Sequence, residues 1–374
     1  MRIAVPKEIK VGEKRVALVP DVISKLTKLG HEVVIESGAG INSDYSDSQY
    51  LKAGAQILQS EVLSNSDVIL SVQPLTPNQM KSLKKGALTI SFLSPTTSLD
   101  SIEAAISASV TAISLEMVPR ISRAQSMDAL TSQALCAGYK AALVAAELSP
   151  KFFPLLMTAA GTITPAKVTV LGAGVAGLQA IATAKRLGAV VSAYDVRPSS
   201  ADEVKSMGAK FITLELEALE GAGGYAREMS EERAAKQRDL LTPYIAASDV
   251  LITTAAVPGK TAPLLVTSAM ISQMAPGSVV VDLAAESGGN VEGSAAGEVK
   301  TTDNGVKIWG GKDVPSQLAF HASMLFSRNV VNLLLLMNKS IDGKSIGQFE
   351  PDFSDEIIDC ATLTHNGERR ERSK

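Results

Sequence analysis

Glycines at positions 172, 174 and 177 form the pattern in this sequence that most clearly points to chemistry. They lie between an apolar, β-branched run at 167–171 and a run with helical periodicity at 178–187. The first glycine allows a tight turn, the second lets a pyrophosphate approach the backbone, and the third lets helix and strand pack closely. Amides at the start of the helix would receive the phosphate charge. We therefore predict a dinucleotide site with contacts from Gly172, Gly174, Val175, Ala176 and Gly177.

An aspartate at the end of the next predicted strand, 190–195, indicates which dinucleotide binds. The carboxylate of Asp195 can accept hydrogen bonds from a ribose diol and would repel a 2′-phosphate, so NAD(H) is favoured over NADP(H). Arg197 weakens this preference slightly, because a guanidinium can also bind phosphate. We predict that Asp195, Val196 and Arg197 contact the cofactor.

Two loops are predicted to complete the cofactor site. Ala256 follows the predicted strand 249–253, and loops at this end of a parallel sheet line the cofactor in nucleotide-binding folds. A plain proline-glycine turn is an equal alternative there. The insertion 215–236 contains several glycines followed by Tyr225. This composition favours a mobile loop with Gly224 and Tyr225 as cofactor contacts, although an ordinary surface loop explains it equally well.

A polar segment at 120–128 carries the candidate reaction residues. Arg120 and Asp128 can form an ion pair that fixes the guanidinium to donate to a nicotinamide carboxamide. Gln125 is both a donor and an acceptor, so it can hold a second dinucleotide or a substrate. The alternative interpretation is a capped helix start with a solvated charge pair.

The histidines do not supply an acid–base group for a carbonyl substrate. His31, His321 and His365 form no pair with metal-ligand spacing, so no metal site is predicted. Reduction of a carbonyl requires a proton donor beside it. Hydride exchange between two nicotinamides requires only alignment and exclusion of water. The shortage of acid–base groups is compatible with that reaction.

Composition excludes several function classes. The chain has 374 residues and a formal net charge of −3, without the basic excess of a nucleic-acid-binding protein. Its two cysteines form neither a disulfide framework nor a metal-ligand set, which fits a reducing compartment. The N-terminus lacks the pattern of a signal peptide. The longest uncharged run, 261–281, contains prolines, so no membrane helix is predicted and we expect a soluble chain.

Short β-branched runs alternate with helical stretches, which predicts an α/β fold with parallel sheets. One series of predicted strands covers 2–5, 31–36, 67–72, 88–92 and 110–115. A second series, after a long helix at 126–148, covers 167–171, 190–195, 210–213, 249–253, 278–283 and 306–309. The second series matches a complete nucleotide-binding sheet.

We predict two Rossmann-like, doubly wound domains with a cofactor cleft between them. The first domain comprises 1–132 plus 318–374, because a long helix at 318–337 would return the chain to it. The second, at 133–317, is the NAD(H)-binding domain. The charged tail, 365–374, is predicted to be disordered or ordered only by a partner.

The chain closely resembles the NAD(H)-binding domain of the proton-translocating NAD(P) transhydrogenases over essentially its whole length. The most specific blocks are 119–128, 172–178, 223–226 and 281–285. Alanine dehydrogenases resemble the chain in fold, but they carry a substrate-binding lysine where Gln73 stands and a catalytic histidine where Ser94 stands. Only Arg15 remains of that amino-acid site, which argues against amino-acid oxidation.

The resemblance implies specific roles for the candidate residues. NAD(H) would bind the second domain, with Arg120 on its carboxamide and Tyr225 on a mobile loop that closes over it. Gln125 would reach toward NADP(H) on a separate partner subunit, and Asp128 would orient this group. The implied activity is that of a Re/Si-specific, proton-translocating NAD(P)⁺ transhydrogenase, active only with its partners.

The resemblance also implies partners and a location. We expect a homodimer that docks on a membrane-spanning transhydrogenase subunit and an NADP(H)-binding subunit at the inner face of the cytoplasmic membrane. Two alternatives stay open: an alanine-dehydrogenase-like, NAD-dependent amino-acid dehydrogenase, and a regulatory subunit that senses NAD(H) without catalysing transfer.

Overall fold

The chain folds into two compact α/β units. The computed structural model describes residues 1–216, 230–257, 259–341 and 344–370. Unit 1 combines Met1–Gln133 with Pro315–Lys374, and unit 2 is Ala134–Val314. Each unit has its own hydrophobic core around its own sheet.

Unit 1 contains an eight-stranded sheet. Its strands are β1 Arg2–Val5, β2 Glu32–Glu36, β3 Gln56–Leu58, β4 Val68–Leu70, β5 Leu88–Ser91, β6 Thr111–Ser114, β18 Thr362–His365 and β19 Glu368–Arg369. They lie in the order β19-β18-β6-β5-β4-β1-β2-β3. The first six are parallel, and their order, 3-2-1-4-5-6, is that of a doubly wound sheet.

The helices of unit 1 are α1 Pro20–Thr27, α2 Asp47–Lys52, α3 Pro77–Lys81, α4 Leu99–Ser107, α10 Ala319–Leu336 and α11 Glu356–Ala361. A separate hairpin is formed by β16 Asn338–Ile341 and β17 Lys344–Phe349. Every residue of β4, β5 and β6 is buried, as expected for parallel strands that are covered on both faces.

Helix α10 belongs to the core of unit 1. Its side chains Phe326, Val330 and Leu334 are fully buried among the sheet residues. Within the described part of the chain, Val314–Leu336 is the one helical stretch long and apolar enough to cross a membrane, and 56% of its most apolar window is buried in the protein. Such burial is typical of a core helix in a globular domain.

The predicted disorder of the charged tail is wrong for the residues that the structure describes. β18 pairs antiparallel with β6, and β19 pairs with β18. Thr364 is buried, and its hydroxyl donates to the Val110 carbonyl at 2.8 Å. Arg370 lies 3.6 Å from the centre of the Phe353 ring and forms an ion pair with Asp359. Residues 365–370 are held in place because β19 pairs with β18 and Arg370 contacts both Phe353 and Asp359.

Unit 2 contains a seven-stranded sheet. Its strands are β9 Lys167–Leu171, β10 Val190–Tyr194, β11 Lys210–Phe211, β12 Val250–Thr253, β13 Val279–Asp282, β14 Val299–Thr301 and β15 Lys307–Gly310. They lie in the order β11-β10-β9-β12-β13-β15-β14. Six of these strands again follow the doubly wound order, and β14 adds an antiparallel edge.

The helices of unit 2 flank this sheet. They are α6 Val175–Arg186, α7 Ser200–Ser206, α8 Glu231–Ala246 and α9 Ser268–Ile271. The long helix α5, Ala129–Leu148, begins in unit 1 and continues into unit 2. A two-stranded hairpin, β7 Leu156–Thr158 and β8 Gly161–Ile163, lies apart from the main sheet.

Candidate functional site

The glycine turn lies at the carboxyl end of β9, where the strand order of unit 2 reverses. β9 pairs with β10 on one side and with β12 on the other, and such a reversal is where doubly wound sheets hold their ligands. Gly172 has a φ of +97°, which glycine adopts without steric cost. Its amide donates to the Tyr194 carbonyl at 2.8 Å. The chain can therefore turn sharply from β9 into α6.

Two further glycines allow close packing around the start of α6. A Cβ on Gly177 would lie 1.9 Å from the carbonyl oxygen of Gly172, and a Cβ on Gly138 of α5 would lie 2.0 Å from that of Ala176. Both positions exclude any larger residue unless the backbone moves. The motif predicts the role of Gly177, whereas Gly138 depends on a contact between two helices that no local pattern reveals.

The first turn of α6 leaves room for an anion. Gly174 is exposed, and a Cβ built on it meets no atom within 4 Å. The first intrahelical hydrogen bond runs from the Leu178 amide to the Gly174 carbonyl at 2.8 Å. The amides of Val175, Ala176 and Gly177 therefore have no partner inside the helix. Together with the helix dipole, these amides and this open approach fit a pyrophosphate.

Asp195 lies just past the end of β10 and holds the glycine turn. Its Oδ2 accepts a hydrogen bond from the Ala173 amide at 2.7 Å, and both of its oxygens accept from Arg197. Burial alone would raise the pKa of the Asp195 carboxyl, but the hydrogen bonds from Arg197 and Ala173 outweigh it, so the pKa lies below its ordinary value. Asp195 is thus a buried carboxylate anchored to the turn, and the neighbouring Val196 packs on the apolar cluster beside it.

The ion pair changes how Arg197 is interpreted. Its Nε lies 2.9 Å from Asp195 Oδ1, and its side chain is 21% exposed. A guanidinium committed to a neighbouring carboxylate is a weaker ligand for a 2′-phosphate than an unpaired one. In the folded structure Arg197 therefore weakens the predicted preference for NAD(H) less than its position in the sequence suggests.

The loop after β12 is held against the glycine turn by side chains that the sequence pattern does not reveal. Thr254 donates through its hydroxyl to the Gly172 carbonyl at 3.1 Å. Asn290 is fully buried, and its amide group accepts from the Ala255 amide at 3.0 Å and donates to the Ala255 and Pro263 carbonyls. The next residue, Ala256, is exposed. Asn290 thus fixes the backbone that presents Ala256.

A buried carboxylate in turn fixes Asn290. Asp282, at the end of β13, has no solvent exposure. Its oxygens accept hydrogen bonds from the Thr253 hydroxyl and from the backbone amides of Ala284, Asn290 and Val291. A carboxyl group can be buried when several donors satisfy its oxygens. Asp282 therefore ties together the carboxyl ends of β12 and β13 beside the predicted cofactor site.

The polar segment 120–128 lies in unit 1, at the start of α5. Arg120 and Gln125 have exposed side chains, while Asp128 is partly buried. The Asp128 carboxylate accepts from the Thr131 amide at 2.8 Å and from the Thr131 hydroxyl at 2.6 Å. It therefore caps α5, as the alternative interpretation of this segment expects. Gln125 is available to an incoming group.

Unit 1 also buries a charged network at the carboxyl edge of its sheet. Glu13 accepts from Arg15 through both oxygens, at 2.6 and 2.8 Å, and from Gln73 and Ser316. The Nη1 of Arg15 donates to Gln133 at 2.9 Å. Burial would raise the pKa of Glu13, but the Arg15 guanidinium outweighs it and lowers this pKa to about 2. Arg15, the residue that the chain shares with alanine dehydrogenases, is thus hydrogen-bonded to Glu13 and Gln133 of its own chain.

Ser94 and Glu8 lie near the same edge. The Ser94 amide donates to Glu116 at 2.8 Å. Glu8 accepts from the Val72 amide at 2.5 Å, and burial raises the pKa of its carboxyl to about 7. No local pattern singled out Glu8 as a titrating group, because its environment is created by a loop that is distant in sequence.

Two predicted contacts, Gly224 and Tyr225, lie outside the described residues. Among the residues that the structure describes, no group of three or more His, Cys, Asp or Glu side chains is arranged to hold a metal ion. The described parts of the candidate cofactor site are the backbone amides at the start of α6, the Asp195 carboxylate and the loop that carries Ala256.

Comparison with known proteins agrees with this geometry. Residues 4–137 match the alanine dehydrogenase/PNT N-terminal domain, and residues 141–372 match the alanine dehydrogenase/PNT C-terminal domain. An NAD(P) transhydrogenase alpha-subunit protein of Rhodospirillum rubrum is 47% identical over 344 residues, which cover 89% of each chain. The alanine dehydrogenase of Bacillus subtilis is 32% identical over 78% of this chain and 72% of its own.

A solved structure gives the same result. The transhydrogenase from Sinorhizobium meliloti superimposes with a TM-score of 0.89 at 42% identity, over 99% of this chain and 100% of that one. The chain therefore belongs to the alanine dehydrogenase/PNT family, and within it is more similar to the transhydrogenase alpha subunits than to the alanine dehydrogenases.

Proposed function

We propose that this chain is the NAD(H)-binding subunit of a proton-translocating transhydrogenase. The observation that carries the proposal is the helix start at Gly174, open to a pyrophosphate and flanked by the anchored Asp195 carboxylate. The identity to the Rhodospirillum rubrum subunit supports the transhydrogenase assignment. Hydride would pass directly between NAD(H) bound here and NADP(H) bound by a partner subunit, coupled to proton movement through a membrane-spanning partner.

The residues of this chain would bind and align the dinucleotide. The amides of Val175 and Ala176 would hold the pyrophosphate, Asp195 would accept from the ribose hydroxyls, and Ala256 would flank the nicotinamide ribose. Arg120 would hold the carboxamide, with Asp128 ordering the segment that carries it. Gly224 and Tyr225 would contribute further contacts to the cofactor.

Hydride exchange between two nicotinamides needs no proton transfer, so the protein contributes geometry. A bound pair of reactants gains its rate from orientation and from avoided solvent reorganisation. Gln125 is exposed and can donate and accept at once. It would bridge from this chain to the NADP(H) nicotinamide and hold the two rings in register.

Assay of the reconstituted complex tests this function. We expect hydride exchange between NADH and an NADP⁺ analogue only when the NADP(H)-binding partner is added. Gln125→Asn should slow this exchange by about tenfold or more while leaving the Kd for NADH within about twofold, because it shortens a bridge without touching the dinucleotide cradle. Gln56→Asn, the same change at an exposed position of the edge strand β3, is the matched control.

Other outcomes would replace this proposal. Normal turnover by the isolated chain would exclude the partner-dependent mechanism. Robust reduction of NAD⁺ by alanine would establish the amino-acid dehydrogenase alternative. The ion pair between Arg15 and Glu13 argues against this outcome. NADH binding without transfer in any reconstituted complex would favour the regulatory alternative.

The exposed hairpin β7–β8 supports a homodimer. Its region presents large apolar side chains to solvent: Phe152 is 56% exposed, Leu155 55% and Met157 78%. A two-stranded hairpin is marginally stable by itself, so an apolar one needs a covering surface. We propose that a second copy of this chain covers it. Met157→Asp should then shift the mass measured by light scattering from dimer toward monomer, and an unchanged dimer would exclude this surface.

A further inference from the structure

The short turn that carries Gln125 is held in place by side chains from distant parts of unit 1. Residues Ser122–Met127 form a 3₁₀ helix between the end of the first sheet and α5. Ala124 and Met127 are buried in the core, while Arg123, Gln125 and Ser126 face solvent. The turn is therefore anchored on one face and presents Gln125 from the other.

Two asparagines of α10 hold the backbone next to Gln125. The Nδ2 of Asn329 donates to the Ser126 carbonyl at 2.9 Å, and the Nδ2 of Asn332 donates to the same oxygen at 3.1 Å. The two asparagines are three residues apart, so they lie on one face of the helix. A carbonyl at the end of a 3₁₀ turn needs an outside donor, and this oxygen receives one for each lone pair.

An ion pair holds the other side of the turn. Arg123 donates to both oxygens of Asp355, at 2.6 and 2.9 Å, in the bidentate geometry that fixes a guanidinium most firmly. Asp355 also caps α11, because its Oδ1 accepts from the Ile357 amide at 2.9 Å. The position of Arg123 is thereby tied to a helix more than two hundred residues away along the chain.

We propose that Arg123, Asn329, Asn332 and Asp355 are positioning residues for Gln125 in the hydride-transfer step. This inference rests on the proposed bridging role of Gln125. Transfer depends on alignment of the reacting groups, and a displacement of about 1 Å can cost about a hundredfold in rate. An exposed ion pair and two hydrogen bonds contribute little to global stability. Contacts of this kind can therefore control the rate without controlling the fold.

The test uses four variants in the reconstituted complex. Asn332→Ala removes one donor from the Ser126 carbonyl, and Asn332→Asp places a charge of the wrong sign against it. Arg123→Gln removes the ion pair. Asp355→Asn removes its charge but keeps a residue that caps helices well. Lys339→Gln, which breaks another exposed ion pair of unit 1, is the matched control.

We expect the transfer rate to fall about tenfold or more in the four variants, with Asn332→Asp the slowest. The Kd for NADH and the thermal midpoint should stay near the wild-type values. Hydrogen–deuterium exchange of the amides at 121–128 should be faster than in the wild type and in Lys339→Gln. Arg123→Gln and Asp355→Asn should be non-additive in the double variant, because they break the same contact.

The outcomes separate this proposal from the proposed function. Lack of transfer by the wild-type complex would overturn the function, and the exchange measurement would still decide whether Arg123, Asn332 and Asp355 hold the turn. Unchanged exchange and unchanged transfer in all four variants would overturn the positioning role. Loss of rate in Arg123→Gln but not in Asp355→Asn would also overturn the role assigned to the ion pair, and would indicate that Arg123 contacts the partner directly.

Discussion

At the scale of single residues, Asp195 has two tasks that one carboxylate can perform together. It holds the turn through the Ala173 amide, and it binds Arg197, which would otherwise offer a positive charge to a 2′-phosphate. The proposed preference for NAD(H) would therefore depend on the pair of residues and not on the carboxylate alone.

Asp195→Asn tests this coupling. Asparagine can still accept from the Ala173 amide, but it releases Arg197 and no longer repels a 2′-phosphate. Loss of a charge-assisted hydrogen bond costs about 1.5–3 kcal/mol, so the Kd for NADH should rise about ten- to a hundredfold. The ratio of NADPH to NADH affinity should move toward NADPH in fluorescence titrations. Arg197→Gln added to Asp195→Asn should cancel the gain for NADPH, and a persistent gain would contradict the argument.

Glu8 gives a prediction about pH. Burial raises the pKa of its carboxyl from 4.5 to about 7. The stability contributed by this proton is fully present below about pH 4.5 and is lost as the pH rises through 7. Glu8→Gln mimics the protonated form, so it should raise the free energy of unfolding at pH 8 by about 1–2 kcal/mol and change little at pH 4.5. Urea unfolding at both pH values measures this difference.

The exposed Glu103→Gln is the control for Glu8→Gln, and it should show no such pH dependence. An equal effect of Glu8→Gln at both pH values would show that the carboxyl is ionised throughout. Glu13 does not interfere, because its pKa of about 2 keeps it ionised over this whole range.

The residues that local chemistry dictates could be predicted, and those that the fold brings together could not. Gly172 and Gly177 follow from one βα turn, and the structure shows the positive φ and the close approach that the motif requires. Asp282 and Asn290 act on a loop formed by other strands. Their importance depends on strand order, which no spacing within a short window contains.

At the scale of elements, the glycines at the start of α6 serve two different purposes that can be separated. Gly177 is surrounded by backbone, and a Cβ at this position would lie only 1.9 Å from the Gly172 oxygen. Gly174 has no atom within 4 Å of its Cβ position, and its φ of −76° is accessible to alanine. Packing requires a glycine at 177, whereas at 174 only the proposed approach of a ligand would require one.

Gly177→Ala and Gly174→Ala should therefore fail in different ways. Gly177→Ala should lower the free energy of unfolding by about 1–3 kcal/mol, as overpacking does. Gly174→Ala should keep its stability but weaken NAD⁺ binding by about tenfold or more, since the methyl group occupies the pyrophosphate approach. Urea unfolding and calorimetric titration of each variant measure the two effects. A stable Gly177→Ala, or a Gly174→Ala that binds normally, would refute this division.

The strands show where element prediction succeeds. The predicted bounds 2–5 and 167–171 coincide with β1 and β9, because both are short apolar runs between clear turn signals. The helix predicted at 178–187 begins at Val175, since its first turn contains the small residues of the motif. The sequence pattern does not reveal the edge strands β3, β14, β18 and β19, because their pairing partners and not their composition make them strands.

At the scale of the whole molecule, the two units share a strand order but not a chemistry. In unit 2 the first strand of the seven-stranded sheet, β9, leads into a glycine turn with an open helix start. In unit 1 the corresponding strand, β1, leads to Glu8, whose carboxyl oxygens accept hydrogen bonds from the amides of Val72 and Gln73. The same topological position is thus open to an anion in one unit and filled by a side chain in the other. Fold alone does not locate the site, and the residues at the strand ends do.

The fluorescence of the single tryptophan allows ligand binding to unit 2 to be measured. Trp309 lies in β15 of unit 2 and is 9% exposed, so its fluorescence reports the unfolding of the unit that carries the glycine turn.

A ligand that binds only the folded state, present at a hundred times its Kd, stabilises that state by about 2.7 kcal/mol. NAD⁺ at that concentration should raise the free energy of unfolding seen by Trp309 by about this amount. NADP⁺ at the same concentration should raise it by less, because Asp195 would repel the 2′-phosphate and holds Arg197. Urea titrations with each nucleotide, repeated on Asp195→Asn, would show the shift and its loss. Equal stabilisation by NAD⁺ and NADP⁺ in the wild-type chain would refute the selectivity assigned to this pair.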